Sequence, residues 1–208
     1  MFFFENINRF KKKFTQNYKI NVSKKLKFGD KKTNDFFLKK LQKSKFYFEY
    51  GSGNTTLLAY NLKKNFVSIE ADKDFFELIK KKIDNHQNLK YVDIGPVGEY
   101  SYPLIKNKFK IIRYIKSINK FFKKKKSPDL ILIDGRFRIA CCINIFSLIK
   151  RHKKKPLIFL DDYKKRKHYK VLKKIFKINQ TGRMAILKFK KKSENNILSL
   201  NKYYYDSR

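Results

Sequence analysis

Cysteine is nearly absent from this chain: two residues, Cys141 and Cys142, stand side by side. Two neighbouring thiols cannot build a disulfide framework, and they are too few for a cysteine-rich zinc site. Acids are scarce too, 17 against 53 lysines and arginines, which leaves a formal charge of +36. No uncharged apolar run approaches the roughly 18–20 residues that a membrane-spanning helix needs. Glu5 interrupts the apolar start Met1-Phe2-Phe3-Phe4, where a secretory signal would continue its hydrophobic stretch. Internal repeats are missing. The expectation is a soluble, cytoplasmic protein with reduced thiols.

Apolar residues make up 42% and aromatics 16%, too much for a wholly disordered chain despite the charge. A chain of 208 residues can bury about 70% of its unfolded surface in one core. The positive field attracts phosphate backbones or anionic lipid heads. Yet the lysines lie in separate runs, at 11–13, 123–126, 153–155 and 190–192. Nucleic-acid readers instead concentrate arginine and aromatics on one face. Lys, Asn, Ile, Phe and Tyr also share A- and T-rich codons, so base composition alone produces this bias. We read the charge as a solvated basic surface with weak, salt-sensitive adsorption to nucleic acid.

Residues 1–44 form a basic extension in which 34–41 read as a helix, with Asn34 as its N-cap. From Phe46 onward strands alternate with helices. Strands are expected at 45–50, 65–70, 89–94, 129–133, 156–160 and 184–189, and 176–179 is a further partner across the Thr181-Gly182 turn. Helices are expected at 55–62, 73–84, near 111–122, and at 139–150 and 169–176. The order implies an α/β fold, a Rossmann-like, doubly wound and mostly parallel sheet with helices on both faces. The domain spans 45–190, and a polar tail, 191–208, follows it. In such sheets ligands bind beyond the carboxyl ends of the strands, where strand order reverses.

The segment Glu49-Tyr50-Gly51-Ser52-Gly53-Asn54-Thr55-Thr56 joins the first strand to the first helix of the domain. Its glycines allow a tight turn and close approach of a ligand to the main chain. The helix behind it offers free N–H groups and a positive dipole end. Glu70 closes the second strand, where a carboxylate can accept both hydroxyls of a ribose. Together they point to a nucleoside-containing cofactor; the alternative is a plain strand-to-helix connection. Thr56 stands where a dinucleotide turn would have its third glycine, and no Gly-Lys-Ser/Thr of a P-loop is present. An acid two positions before the first glycine suits a ligand with an ammonium and a sulfonium.

On these residues the chain resembles the class I S-adenosylmethionine-dependent methyltransferases. Glu49, Gly51 and Gly53 match their acid-x-Gly-x-Gly motif, and Glu70 matches the acid that holds the ribose. Leu132-Ile133-Asp134-Gly135-Arg136-Phe137-Arg138 and Leu160-Asp161-Asp162-Tyr163 resemble the segments after the fourth and fifth strands of small methyltransferase-like proteins, often linked to surface-glycan or small-molecule methylation. The resemblance implies seven strands with the last antiparallel. It also implies a cofactor site of Glu49, Gly51, Ser52, Gly53, Asn54 and Glu70, with Asp93 on the adenine side.

Asp134, Asp161 and Asp162 follow the fourth and fifth strands and should open onto the same cleft. One of them can act as general base on an acceptor hydroxyl. Together they can hold a divalent cation, as in catechol-type O-methyltransferases, although Asp162 stands where those enzymes often have asparagine. In the third reading they pair with Arg136, Arg138 or Arg166. Arg136 and Arg138 can instead receive an anionic acceptor group. The Asp/Asn-Pro-Pro-aromatic run of many nucleobase amino-methylating enzymes is missing after the fourth strand. The leading expectation is O-methylation of a small molecule or glycan. An RNA-directed methyltransferase and a non-catalytic nucleic-acid-binding protein on a degenerate fold are the alternatives.

Overall fold

Short runs of β-branched, leucine and aromatic residues form the strands of a computed structural model that describes residues 8–9, 12–13, 30–84, 86–122, 127–191, 193 and 196–207. The strands are β1 Tyr47–Tyr50, β2 Phe66–Glu70, β3 Leu89–Tyr91, β4 Leu130–Ile133, β5 Leu157–Leu160, β6 Phe176–Thr181 and β7 Met184–Phe189. They make one seven-stranded sheet in the order β3-β2-β1-β4-β5-β7-β6. β1 to β5 pair in parallel, whereas β7 runs antiparallel to both β5 and β6. The sheet is therefore mixed, and β7 is the reversed strand.

The helices are α1 Lys31–Lys43, α2 Asn54–Asn61, α3 Lys73–Lys80, α4 Lys108–Ile115 and α5 Arg138–His152. Strand side chains alternate between the two faces. Tyr47, Phe66, Leu130, Leu132 and Phe159 pack with Phe37 and Leu41 of α1, Leu57 of α2 and Ile79 of α3. Phe48, Tyr50, Ile131, Ile133, Ile158 and Leu160 pack with Ile111 and Tyr114 of α4 and with Ile139, Phe146 and Ile149 of α5. Both faces are covered, which explains why β4 is apolar at every position. Cys141 and Cys142 are fully buried packing residues of α5.

Several boundaries differ from those expected from the sequence, each for a local reason. α1 starts earlier, because Asp30 rather than Asn34 caps it by accepting from the Thr33 N–H at 2.8 Å. This helix belongs to the core: Phe37 packs edge-on against both Tyr47 and Phe159. β3 stops at Tyr91, because Asp93 turns the chain by accepting from the Gly95 N–H at 2.7 Å. The helix expected at 169–176 is a 3₁₀ segment, Lys167–Lys174, and Phe176 already belongs to β6. The C-terminal segment is packed down: Leu200 and Ser207 are buried, and Tyr203, Tyr204 and Tyr205 lie against the α5 side of the core. No helix among the described residues is long and apolar enough to cross a membrane.

Candidate active site at the carboxyl edge of the sheet

Strand order reverses between β1 and β4, so the turns that leave these two strands lie side by side. Gly51 and Gly135 are the contact. A side chain at Gly51 would meet Gly135 N at 2.7 Å and the Asp134 carbonyl carbon at 2.9 Å, and φ of Gly51 is +89°. A side chain at Gly135 would collide with the Tyr114 hydroxyl. Gly53 is different. Its φ of 166° is ordinary extended backbone, and a Cβ there would find nothing within 4 Å. The first glycine serves the fold, whereas the second leaves open space above the main chain at the start of α2, beside the exposed Asn54.

Glu49 lies beneath this turn and is fully buried. The Tyr47 hydroxyl donates to it at 2.5 Å and the Thr55 hydroxyl at 2.7 Å, and the Thr56 hydroxyl donates to its other oxygen. Burial pushes the Glu49 carboxyl up, against the pull of those hydroxyls. Thr56 also accepts from the Gly53 N–H at 2.9 Å, and the Ser52 and Ser68 hydroxyls pair at 2.8 Å. Glu49 thus anchors the first turn of α2.

Glu70 ends β2 on the same face. The Ser52 N–H donates to its Oε2 at 2.9 Å, and the N–H groups of Ala71 and Asp72 donate to its Oε1 at 2.7 and 2.9 Å. Burial raises its pKa to about 7, opposed by those donors. Ser101 reaches Oε1 at 3.5 Å from a loop in which Tyr100 and Ser101 both have positive φ. The basic extension meets this loop as well. The Arg9 guanidinium stacks on Tyr102 at 3.8 Å, and Lys13 pairs with Asp72 at 3.3 Å and Asp74 at 2.9 Å. Asp93 is held by Gly95 and by Lys110 at 2.6 Å; the Lys110 ammonium keeps its carboxyl below the usual range.

Asp134, Asp161 and Asp162 converge, with one oxygen of each within 4.8 Å of the others. All three are already paired with arginines. Arg138 binds Asp134 at 2.8 Å and Asp162 at 3.5 Å, and donates to the carbonyls of Asp134, Gly135 and Asp161. Arg183 forks onto the fully buried Asp161, with Nε donating at 2.7 Å, and reaches Asp162 at 3.1 Å. Arg166 adds a contact to Asp162 at 3.4 Å. Three carboxylates thus face three guanidinium groups, and a cation at this point would have to displace them. Burial pushes Asp134 up, with Arg138 opposing and the neighbouring Asp161 and Asp162 reinforcing. For Asp162 burial acts upward, but Arg138, Arg183 and Arg166 hold it below the usual range.

The sequence-derived residues thus form two groups that touch at Gly51 and Gly135. Arg138 and Arg166 pair with the acids as sequence reading allowed; Arg136 does not. Tyr47, Ser68 and Arg183 were missed. Tyr47 carried a faint signal, since strand alternation places it on the face of Glu49. Arg183 carried none, because the β5–β7 pairing Leu160↔Ala185 is what brings it to Asp161.

No family model and no curated protein matches the chain. Among solved structures it is similar to the crystal structure of a methyltransferase-like protein from Silicibacter pomeroyi. The two are 22% identical, with a TM-score of 0.70 over 84% of this chain and 93% of the other. The α/β fold of this chain is therefore similar to that of a methyltransferase-like protein.

Proposed function

We propose that the chain is an S-adenosylmethionine-dependent methyltransferase of the class I kind that methylates an oxygen of a small molecule or glycan. One observation carries the reading. The carboxylate ending β2 is tied by the Ser52 N–H to the turn leaving β1, at the point where strand order reverses, next to open space at Gly53. Those residues fit an adenosyl group, since an ionised Glu70 accepts ribose hydroxyls and a glycine without a neighbour lets a ligand reach the main chain.

When bound, S-adenosylmethionine supplies a methyl group activated by its sulfonium. The protein's work is placement. Glu70 would take the ribose hydroxyls, Ser52, Gly53 and Asn54 would line the turn, and Asp93 would border the adenine side. Glu49 and Gly51 act one layer below, by fixing the turn. Asp134 would hold the proton given up by the acceptor hydroxyl, and its raised proton affinity suits a base working near neutral pH. Asp161 and Asp162 are positioning residues that hold the arginines around it.

Calorimetry of the full chain with S-adenosylhomocysteine tests the proposal. Saturable binding that disappears in Glu70→Ala is the expected result. No heat at millimolar ligand, with the protein folded by circular dichroism, rejects it. Methyl incorporation into total RNA but not into small hydroxylated acceptors would replace the small-molecule reading with the RNA-directed one.

A further inference from the structure

Arg136 leaves the sheet just after β4, between the acid cluster and the glycine contact. Its backbone is fixed: the Arg136 N–H donates to the Tyr114 hydroxyl at 3.3 Å, and Gly135 packs against Gly51. The next residue, Phe137, adopts a left-handed φ of 52° and is fully buried. That conformation is costly for a bulky residue. It sends Phe137 into the core and Arg138 into the acid cluster, and it leaves Arg136 at the edge.

Arg136 is half-buried. Among the described residues it meets no carboxylate; its contact is one hydrogen bond from Nη1 to the Ser207 carbonyl at 3.4 Å. The acids after β4 and β5 are all taken by Arg138, Arg166 and Arg183. Burial first, then the like charges of Arg138 and Arg166, lower its pKa to about 10. A guanidinium carries five donors, and among the described residues the Arg136 side chain gives one of them to a protein acceptor. An incoming carboxylate or phosphate can take two of the others in parallel charge-assisted hydrogen bonds.

We propose that Arg136 is the receptor for an anionic group, a carboxylate or phosphate, on the methyl acceptor, so that the substrate is a small hydroxylated acid. The inference rests on the methyltransferase reading above. It favours a small acid over a nucleic acid because Arg136 is half-buried, with its side chain against the Ser207 carbonyl, whereas a polymer backbone would meet the exposed lysines.

The test uses the full chain with its arginine side chains observed by nitrogen-15 NMR. Sodium phosphate is titrated at constant ionic strength, with and without S-adenosylhomocysteine. Arg136→Lys identifies the Arg136 Nε signal, and the exposed Arg151 serves as the reference. The expected result is a saturable Arg136 shift, while Arg151 drifts without saturating. Followed by calorimetry in the same buffer, phosphate affinity falls by about tenfold or more in Arg136→Gln and by less in Arg136→Lys. S-adenosylhomocysteine affinity stays unchanged in both variants. Should S-adenosylhomocysteine bind while Arg136 responds no differently from Arg151, the inference is overturned and the methyltransferase reading stands. Should phosphate saturate Arg136 while S-adenosylhomocysteine does not bind, the methyltransferase reading fails, and the acceptor role falls with it.

Discussion

Gly51 and Gly53 belong to one turn, yet alanine at each should fail in a different assay. At Gly51 the new methyl meets Gly135 N at 2.7 Å and Gly135 Cα at 2.8 Å, both main-chain atoms of a packed strand exit. The positive φ costs a non-glycine residue about 1–2 kcal/mol, and overpacking against backbone adds about 1–3 kcal/mol. Gly51→Ala should therefore lose roughly 2–5 kcal/mol of stability. For a chain of this size that lowers Tm by roughly 4–20 °C. At Gly53 the methyl enters open space on an extended backbone. Tm should hold, or rise slightly from about 0.4–1 kcal/mol of unfolded-state entropy. The methyl does, however, fill the space through which a ligand would reach the main chain. S-adenosylhomocysteine affinity should then fall by about five- to 150-fold, since overpacking a close contact costs about 1–3 kcal/mol. Differential scanning fluorimetry and calorimetry on the same preparations separate the two effects. A Gly53→Ala protein that binds S-adenosylhomocysteine as wild type does would refute the cofactor assignment of the turn. A Gly51→Ala protein with wild-type Tm would refute the close contact between the exits of β1 and β4.

Glu70 should give two opposite pH slopes. Its folded value of about 7 lies above the ordinary 4.5, so the folded state holds this proton more tightly than the unfolded chain does. That contribution is fully present below about pH 4.5 and is lost as pH rises through 7, a change of roughly 3 kcal/mol that Glu70→Gln should flatten in urea titrations. Ribose hydroxyls need the ionised form, so S-adenosylhomocysteine should bind about tenfold more tightly at pH 8 than at pH 6, again only with Glu70 in place. Arg183→Met strands the buried Asp161 and should cost about 3–5 kcal/mol in the same titrations. EDTA should leave the wild-type Tm unchanged, because arginines already neutralise the three aspartates. Phe37→Ala should cost about 3–5 kcal/mol, as expected for an aromatic at the centre of a core rather than on an appendage.

The alternation of strands and helices and the glycine turn were legible in the primary structure, because each rests on local periodicity or on a short motif, whereas the reversed last strand was expected only from the family resemblance. The β6–β7 hairpin was visible from Thr181 and Gly182 in the same way. Glu49 was legible as part of the motif, but its depth was not. Tyr47, Thr55 and Thr56 close over its carboxylate, and only the pitch of β1 against α2 decides that. The 34–41 helix was foreseen, yet its place in the core depends on Phe159, more than a hundred residues away in the chain.

What the chain by itself determines here is therefore the order of elements and the residue types at each strand exit, which follow from neighbours a few positions apart. Which charge meets which was decided only by the packed sheet. Arg183 reaches Asp161 because β7 runs back alongside β5, and Arg136 is left over because Phe137 turns left-handed and hands Arg138 to the acids. Ion pairing falls off steeply with distance in a screened medium. Partners far apart in the chain are thus chosen by the angstroms that folding sets, and the linear order of residues does not contain those distances.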